Sequence, residues 1–319
     1  MYLGIDFLID KNLNLYLSEV NTGLPGGAQE YDYVFRVKHG RPSGVFKYIE
    51  NLCLKNYKKS FSEYLKDLTY FNDLRELKIW MDGQGNLPSN FPPILRLEDK
   101  WVQYLILSPS YPLIETQILN NELIFDNHLI DLSDEFAVKK RLGRGGKGFI
   151  KISSYNDLKN HNFTSDDSYI IQPYIDSTVN VGDEIFKFSV RALAFSGNFI
   201  CMYANLSRKF TSNHGIIFYI KPGSYLGINK ANFKTTKFSQ KAWEADLFYG
   251  GAIPEYLYHN LYEDEVAEAE LSLPERTFEM IKEISASISG YYEKLDYSKL
   301  PKSFIEKNKG NKNNYLENI

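Results

Sequence analysis

From Gly4 to Val20 the chain places apolar residues at alternate positions in two short runs, GIDFLID and LYLSEV, on either side of the polar stretch Lys11-Asn12-Leu13-Asn14. A period of two interrupted by turn residues predicts a β-hairpin. With the turn centred on Asn12 and Leu13, Asp6 stands directly opposite Glu19, and Asn21 shares their face because strand side chains alternate. Facing carboxylates, with Cβ atoms roughly 5 Å apart, destabilise such a pair unless something cationic lies between them. Beyond the hairpin, YDYVFRV and VFKYIENLCL flank Gly40-Arg41-Pro42-Ser43-Gly44, which predicts a helix on each side of that turn. Phe61, Tyr64, Leu65, Leu68, Phe71, Leu74 and Leu77 recur at intervals of three and four, the pattern of one or two amphipathic helices. The Gly-, Pro- and Asn-rich segment 81–93 marks a boundary.

A second unit opens at Arg96. LEDKWVQYLIL predicts a helix from Glu98 to Leu107, a Pro-broken turn follows, and then a short strand ends near Leu119. EFAVKKRLGRGGKGFI, residues 135–150, reads as an apolar strand carrying Lys139, a loop with Gly143, Gly145, Gly146 and Gly148, and another β-prone run. Glycines let successive backbone N–H groups approach an anion closely, and Lys139 at the strand end can add a point charge. The spacing is neither that of a P-loop nor that of a dinucleotide fingerprint. SYIIQPYI, residues 168–175, is a strand interrupted by Gln172 and Pro173, and 187–207 reads as two strands around Ser196-Gly197-Asn198. Residues 211–251 carry no interpretable motif. Ser272-Leu-Pro-Glu275 is a capping-box pattern, Phe278, Ile281, Ile284 and Ile288 mark a helix face, and Gly290 is expected to end that helix. Residues 302–319 are Lys- and Asn-rich and are expected to form a loose tail.

On chemistry, Asp6, Glu19 and Asn21 offer two carboxylates and an amide oxygen, hard donors that suit Mg²⁺, with Mn²⁺ possible, while a solvated surface hairpin is the plain alternative. Asp6, then Glu19 in E-V-N-T followed by a Pro-Gly turn, resembles the metal-binding end of the ATP-grasp superfamily in its D-alanine-D-alanine ligase form. In that family the motif lies near the C-terminus, so its place at residue 4 implies a circularly permuted chain. Asp99-Lys100 resembles the family's D-K dipeptide, which implies that Lys100 reaches nucleotide phosphates. V-K-K with the glycine loop resembles the phosphate-covering flap, although Lys140 stands where Pro is usual. The same resemblance places adenine against the Pro173 carbonyl and the Ile175 N–H with Gln172 beside the base, the ribose on Asp183 or Glu184, and the γ-phosphate under Arg191. Ser189 replaces the family's Asp two residues before that arginine. Asn205 and Arg208 fall where the family has further contacts.

The implied fold is α+β, two lobes each with an antiparallel sheet and helices, with ATP between them. Its divisions are 1–54, the hairpin and following helices of the C-terminal lobe; 55–94, a helical connection; 95–180, the opening of the nucleotide site and the glycine-loop lobe; 181–301, the rest of the C-terminal lobe; and 302–319, the tail. The implied activity is an ATP-dependent ligase that joins a carboxylate to an amine, such as an amino acid or peptide, through an acyl phosphate, with Arg191 and Lys139 in catalytic roles. A small-molecule phosphotransferase and a non-catalytic nucleotide-binding protein are the alternatives. Bulk composition narrows the classes further. The 319 residues are 43% hydrophobic, enough for a substantial core, and the net charge of −3 provides no basic excess for nucleic acid. No apolar run is long enough for a membrane span, and a cytoplasmic setting is expected. Cys53 and Cys201 stand apart from each other and from the five histidines, so neither a disulfide framework nor a zinc site is suggested. The oligomeric state is open.

Overall fold

A computed structural model describes residues 1–22, 25–69, 93–119, 135–143, 148–161, 163, 168–181, 183–207, 215–228, 234–237 and 265–307. The hairpin is present as β1 (Tyr2–Ile9) and β2 (Leu15–Asn21). Its loop is centred on Asn12 instead of between Asn12 and Leu13: Asp10 and Asn14 close it, Leu13 takes the left-handed conformation at φ 65°, and the Asp10 carboxylate accepts from the Asn12 and Asn14 N–H groups at 2.8 and 2.9 Å. That loop displaces the pairing by one residue, so Phe7 faces Leu17. A bulge at Ser18 restores it, and Asp6 faces Glu19 as the alternation predicts.

Helices α1 (Ala28–His39) and α2 (Val45–Tyr57) flank the Gly40–Gly44 turn as expected, and α3 (Phe61–Thr69) supplies the first part of the amphipathic stretch, whose later residues from 70 lie outside the described residues. A 3-10 turn, Pro93–Glu98, leads into α4 (Lys100–Leu107), capped by Asp99. A small sheet follows, built from β3 (Gln117–Leu119), β4 (Phe136–Lys140), β5 (Ile150–Ile152) and, after the short helix α5 (Tyr155–Asn160), β6 (Tyr169–Pro173), in the order β3-β6-β4-β5. The chain then returns to the large sheet with β7 (Thr178–Val181), β8 (Glu184–Phe195), β9 (Asn198–Ser207), β10 (Ile216–Gly223), β11 (Gly227–Ile228), β12 (Thr235–Lys237) and β13 (Glu265–Pro274). Its main path is β11-β13-β10-β9-β8-β1-β2, with β7 on β8 and β12 on β13. Last come α6 (Glu275–Glu293), a 3-10 turn at Tyr297–Lys299 and α7 (Phe304–Lys307). The protein is therefore mixed α+β, with two sheets among the described residues. Among the described residues no helix is long and apolar enough to cross a membrane.

Several expectations need correction. The large sheet is not wholly antiparallel: β10 and β13 run parallel, which the long connection between Gly223 and Glu265 permits. Ser272 does not cap α6, because β13 holds it opposite Lys221 and Gly227, and the helix starts at Glu275 without a side-chain cap. Nor does Gly290 end α6. It sits inside the helix against Gly197 of the β8–β9 turn, where a Cβ would lie 3.5 Å from the Gly197 Cα and a larger group would collide. Residues 303–306 are not loose, since Phe304 and Ile305 join the main core and Ser303 is buried with them. Residues 308–319 lie outside the described residues.

Met1, ahead of β1, lies against the last turns of α6. Its amino group donates to the Ser289 carbonyl at 3.4 Å and pairs with Glu293, while Ser289 Oγ donates to the Met1 carbonyl at 2.7 Å. β1 thus starts in space where α6 finishes.

Candidate functional site

The outer edge of β2 faces the small sheet across a narrow cleft lined by Ser18, Glu19, Lys100, Gln103, Thr116 and Gln172 among others. An edge strand exposes unpaired backbone groups, and here Gln103 of α4 satisfies them: its side chain accepts from the Val20 N–H at 3.0 Å and donates to the Val20 carbonyl at 2.6 Å. The segment after α4 continues the edge, with the Leu17 N–H donating to the Pro112 carbonyl at 2.8 Å. These contacts fix β2 relative to α4 and bring Lys100 to Glu19.

A row of charged side chains crosses the strands beside that edge. Asp6 pairs laterally with Glu19 on β2 and with Arg191 on β8. Arg191 grips Asp6 with two bonds, Nε to Oδ1 at 2.7 Å and Nη2 to Oδ2 at 2.6 Å, the planar fork that only arginine supplies. Asn21 donates its amide nitrogen to Asp6 Oδ2 at 3.1 Å. Lys100 Nζ lies 3.2 Å from Glu19 Oε1 and donates to the Gly143 carbonyl at 2.6 Å. Lys139 reaches across from the small sheet to Ser18 Oγ at 3.3 Å. The cation demanded by two facing carboxylates is therefore present in the protein itself: Arg191 serves Asp6 and Lys100 serves Glu19.

The electrostatics follow from burial and these neighbours. Burial pushes the Glu19 carboxyl up, but Lys100, Lys139 and Arg191 together outweigh it and leave it below the ordinary value. Burial also opposes the charge on Arg191, and Asp6 more than restores it. Lys139 is different. Burial, reinforced by Lys100, brings its ammonium down to about 8 against the pull of Glu19 and Asp6, and among the described residues it forms no ion pair. Three cations face Asp6 and Glu19, with Glu30 acting on Arg191 as well; Lys139 is the one of the three that no carboxylate holds among the described residues, an arrangement that favours an incoming anion.

Asp6, Glu19, Asn21, Lys100, Lys139 and Arg191 are thus gathered in one place. Gln172 lies at the same cleft, buried, donating to Thr116 Oγ1 at 2.8 Å, and its Oε1 has no partner among the described residues. Pro173 and Ile175 stand at the end of β6. Tyr174 turns its N–H to the Glu135 carbonyl at 2.9 Å, so the trans peptide turns the Pro173 carbonyl the other way, beyond the last pair with β3, and Ile175 lies two residues past the strand end. Glu184 is not gathered: it is exposed at the start of β8, seven residues and roughly 23 Å of strand from Arg191. Of the loop, Gly143 and Gly148 are described; Gly145, Gly146 and Arg208 lie outside the described residues. Ser189 and Asn205 face each other on β8 and β9. Sequence reasoning missed Ser18, Gln103 and Thr116, whose parts depend on the bulge and on edge pairing that no local pattern announces.

Among the described residues no three His, Cys, Asp or Glu side chains converge as a metal set. The donor set offered is smaller, two carboxylates and one amide, and it is engaged, with Arg191 on both Asp6 oxygens and Lys100 on Glu19; its hard oxygens fit Mg²⁺ where these pairs open and phosphates and water complete the shell. Asn21 must turn its amide to present Oδ1. Comparison with protein-family models, with curated proteins and with solved structures finds no match for this chain.

Proposed function

We propose that the protein is a Mg²⁺- and ATP-dependent carboxylate–amine ligase with a circularly permuted ATP-grasp arrangement. The observation that carries the reading is the meeting in one cleft of Asp6, Glu19 and Asn21 with Lys100, Lys139 and Arg191, side chains from the hairpin, α4, the small sheet and β8: Arg191 and Asn21 bond Asp6, Lys100 pairs with Glu19, and Lys139 reaches Ser18 beside them. The start of β1 against the end of α6 supports the permutation, since the unpermuted order would join those two ends directly. The two-sheet arrangement supports a nucleotide lying between them, with adenine toward Pro173–Ile175 and phosphates toward Lys100 and Lys139. ATP as the donor agrees with a cytoplasmic setting.

In this reading Lys100 and Lys139 neutralise and orient the phosphate chain, and Lys139, with no ion-pair partner among the described residues, gains the most from an anion. A substrate carboxylate attacks the γ-phosphorus and ADP leaves. Arg191, beside both Asp6 and Gly27 at the start of α1, steadies the acyl phosphate until an amine displaces phosphate. Asp6, Glu19 and Asn21 would hold the divalent cation, which when bound supplies charge neutralisation at the phosphates. A panel of amino acids and short peptides with Mg-ATP tests this by ADP release. Release that requires both a carboxylate and an amine supports a ligase; release with a single phosphorylated product supports the phosphotransferase. Absence of Mg-ATP binding in calorimetry overturns the nucleotide reading.

A further inference from the structure

Beyond α6 the chain leaves the large sheet and crosses to the start of α4, where Asp99 receives it. Asp99 is fully buried, and its carboxylate accepts from four donors. Oδ1 takes the Trp101 N–H at 3.0 Å, which caps α4, and Arg141 Nε at 3.0 Å; Oδ2 takes Arg141 Nη2 at 2.6 Å and the Phe304 N–H at 2.8 Å. The Arg141 guanidinium also lies over the Phe304 ring, 5.5 Å from its centre. Next to this junction Arg96 donates Nε to Glu306 Oε1 and Nη1 to the Tyr297 carbonyl, both at 2.8 Å. Ser303 and Glu306 cap each other's backbone N–H reciprocally at 3.4 Å, and Ile305 is wholly buried in the core.

The other ends of these bonds lie in the cleft. The Lys100 N–H donates to the Arg141 carbonyl at 3.0 Å, the Arg141 N–H donates to the Ser168 carbonyl at 2.8 Å, and Lys100 Nζ holds the Gly143 carbonyl. One buried carboxylate therefore joins three pieces of chain: the first turn of α4, the exit from β4, and Ser303–Glu306. A buried charge with every donor in place is rigid, and losing one partner leaves the rest uncompensated.

We propose that Asp99, with Ser303–Glu306 as its third tie, is a positioning device that sets Lys100 and the Arg141–Gly143 backbone on the phosphate side of the cleft. The proposal uses the nucleotide reading only to name the ligand; the mechanical tie is tested without it. In the full chain, Asp99→Asn keeps the volume and a capping oxygen but removes the charge that Arg141 and Phe304 share. Ile305→Ala loosens the third tie from a site remote from the cleft. Hydrogen exchange at the Lys100 and Arg141 amides should quicken at least tenfold in both variants, with the β8 and β9 amides unchanged. Mg-ATP should then bind at least tenfold more weakly, while adenosine, which lacks the phosphates, binds as in wild type. Unchanged exchange at Lys100 and Arg141 overturns the proposal, as does equal weakening of ATP and adenosine. Faster exchange in a protein that binds no Mg-ATP upholds the tie and overturns the nucleotide reading instead. Where either variant fails to fold, Ile305→Val provides the same exchange measurement.

Discussion

Lys139→Met separates binding from stability more cleanly than any other substitution here. Methionine keeps an apolar stem at this position of β4 and removes the ammonium. Burial holds that ammonium at about 8, against an ordinary lysine value of 10.5, so the folded state is less tolerant of the charge than the unfolded chain is. At 1.36 kcal/mol per pH unit the penalty has a ceiling of roughly 3 kcal/mol, and access of water to a half-buried side chain brings the expected gain to about 1–3 kcal/mol. The sign fixes the pH window. Below pH 8 both states carry the proton and the penalty is constant; between about 8 and 10.5 the folded protein sheds it first, so wild type gains stability on the variant until the difference vanishes. At pH 7 the variant should melt higher, by roughly 2–4 °C per kcal/mol. Mg-ATP should reverse the order, because a ligand at a hundred times its Kd stabilises wild type by about 2.7 kcal/mol and the variant much less. Scanning calorimetry at pH 7, 9 and 10.5, with and without Mg-ATP, reads all of this. A variant less stable at pH 7, or one that keeps the full Mg-ATP stabilisation, refutes the view of Lys139 as a cation waiting for an anion.

Three further expectations concern neighbouring features. Glu19→Gln should destabilise the protein by about 1–3 kcal/mol at pH 7, because Lys100 loses its counter-ion, and the loss should fade as pH falls below the ordinary carboxylate range, where the lowered Glu19 group of wild type is protonated too; urea unfolding at pH 7 and pH 3 checks it. Gly290→Ala should stabilise α6 by about 0.5–1 kcal/mol, since a Cβ there makes only ordinary contact with Gly197, whereas Gly290→Leu should lower the melting temperature. Truncation after Pro301 should cost several degrees or more in thermal unfolding, because it removes the buried Phe304 and Ile305, each worth roughly 2–5 kcal/mol; an unchanged melting temperature would show that this segment contributes nothing to the fold.

Local pattern carried much of the architecture. Alternation in β1 and β2, the paired helices around Gly40–Gly44, the strand bearing Lys139 and the β8–β9 hairpin were all legible, because each depends on residues close together in sequence. So was the opposition of Asp6 and Glu19, although it survives through two compensating irregularities, the tight loop at Leu13 and the bulge at Ser18, that alternation does not reveal. Where the reading failed, a distant partner had overridden a local signal: β10 drew Ser272 into a strand, α6 ran on through Gly290 past the β8–β9 turn, and Asp99 anchored a polar segment that composition marked as loose. The same reason governs the site. The sequence by itself determined that two carboxylates would face each other and that a cation had to accompany them. Only the tertiary structure decided which cations those are, since Arg191 and Lys100 stand 185 and 81 residues from the acids they serve and meet them through strand pairing and the docking of α4 on the β2 edge.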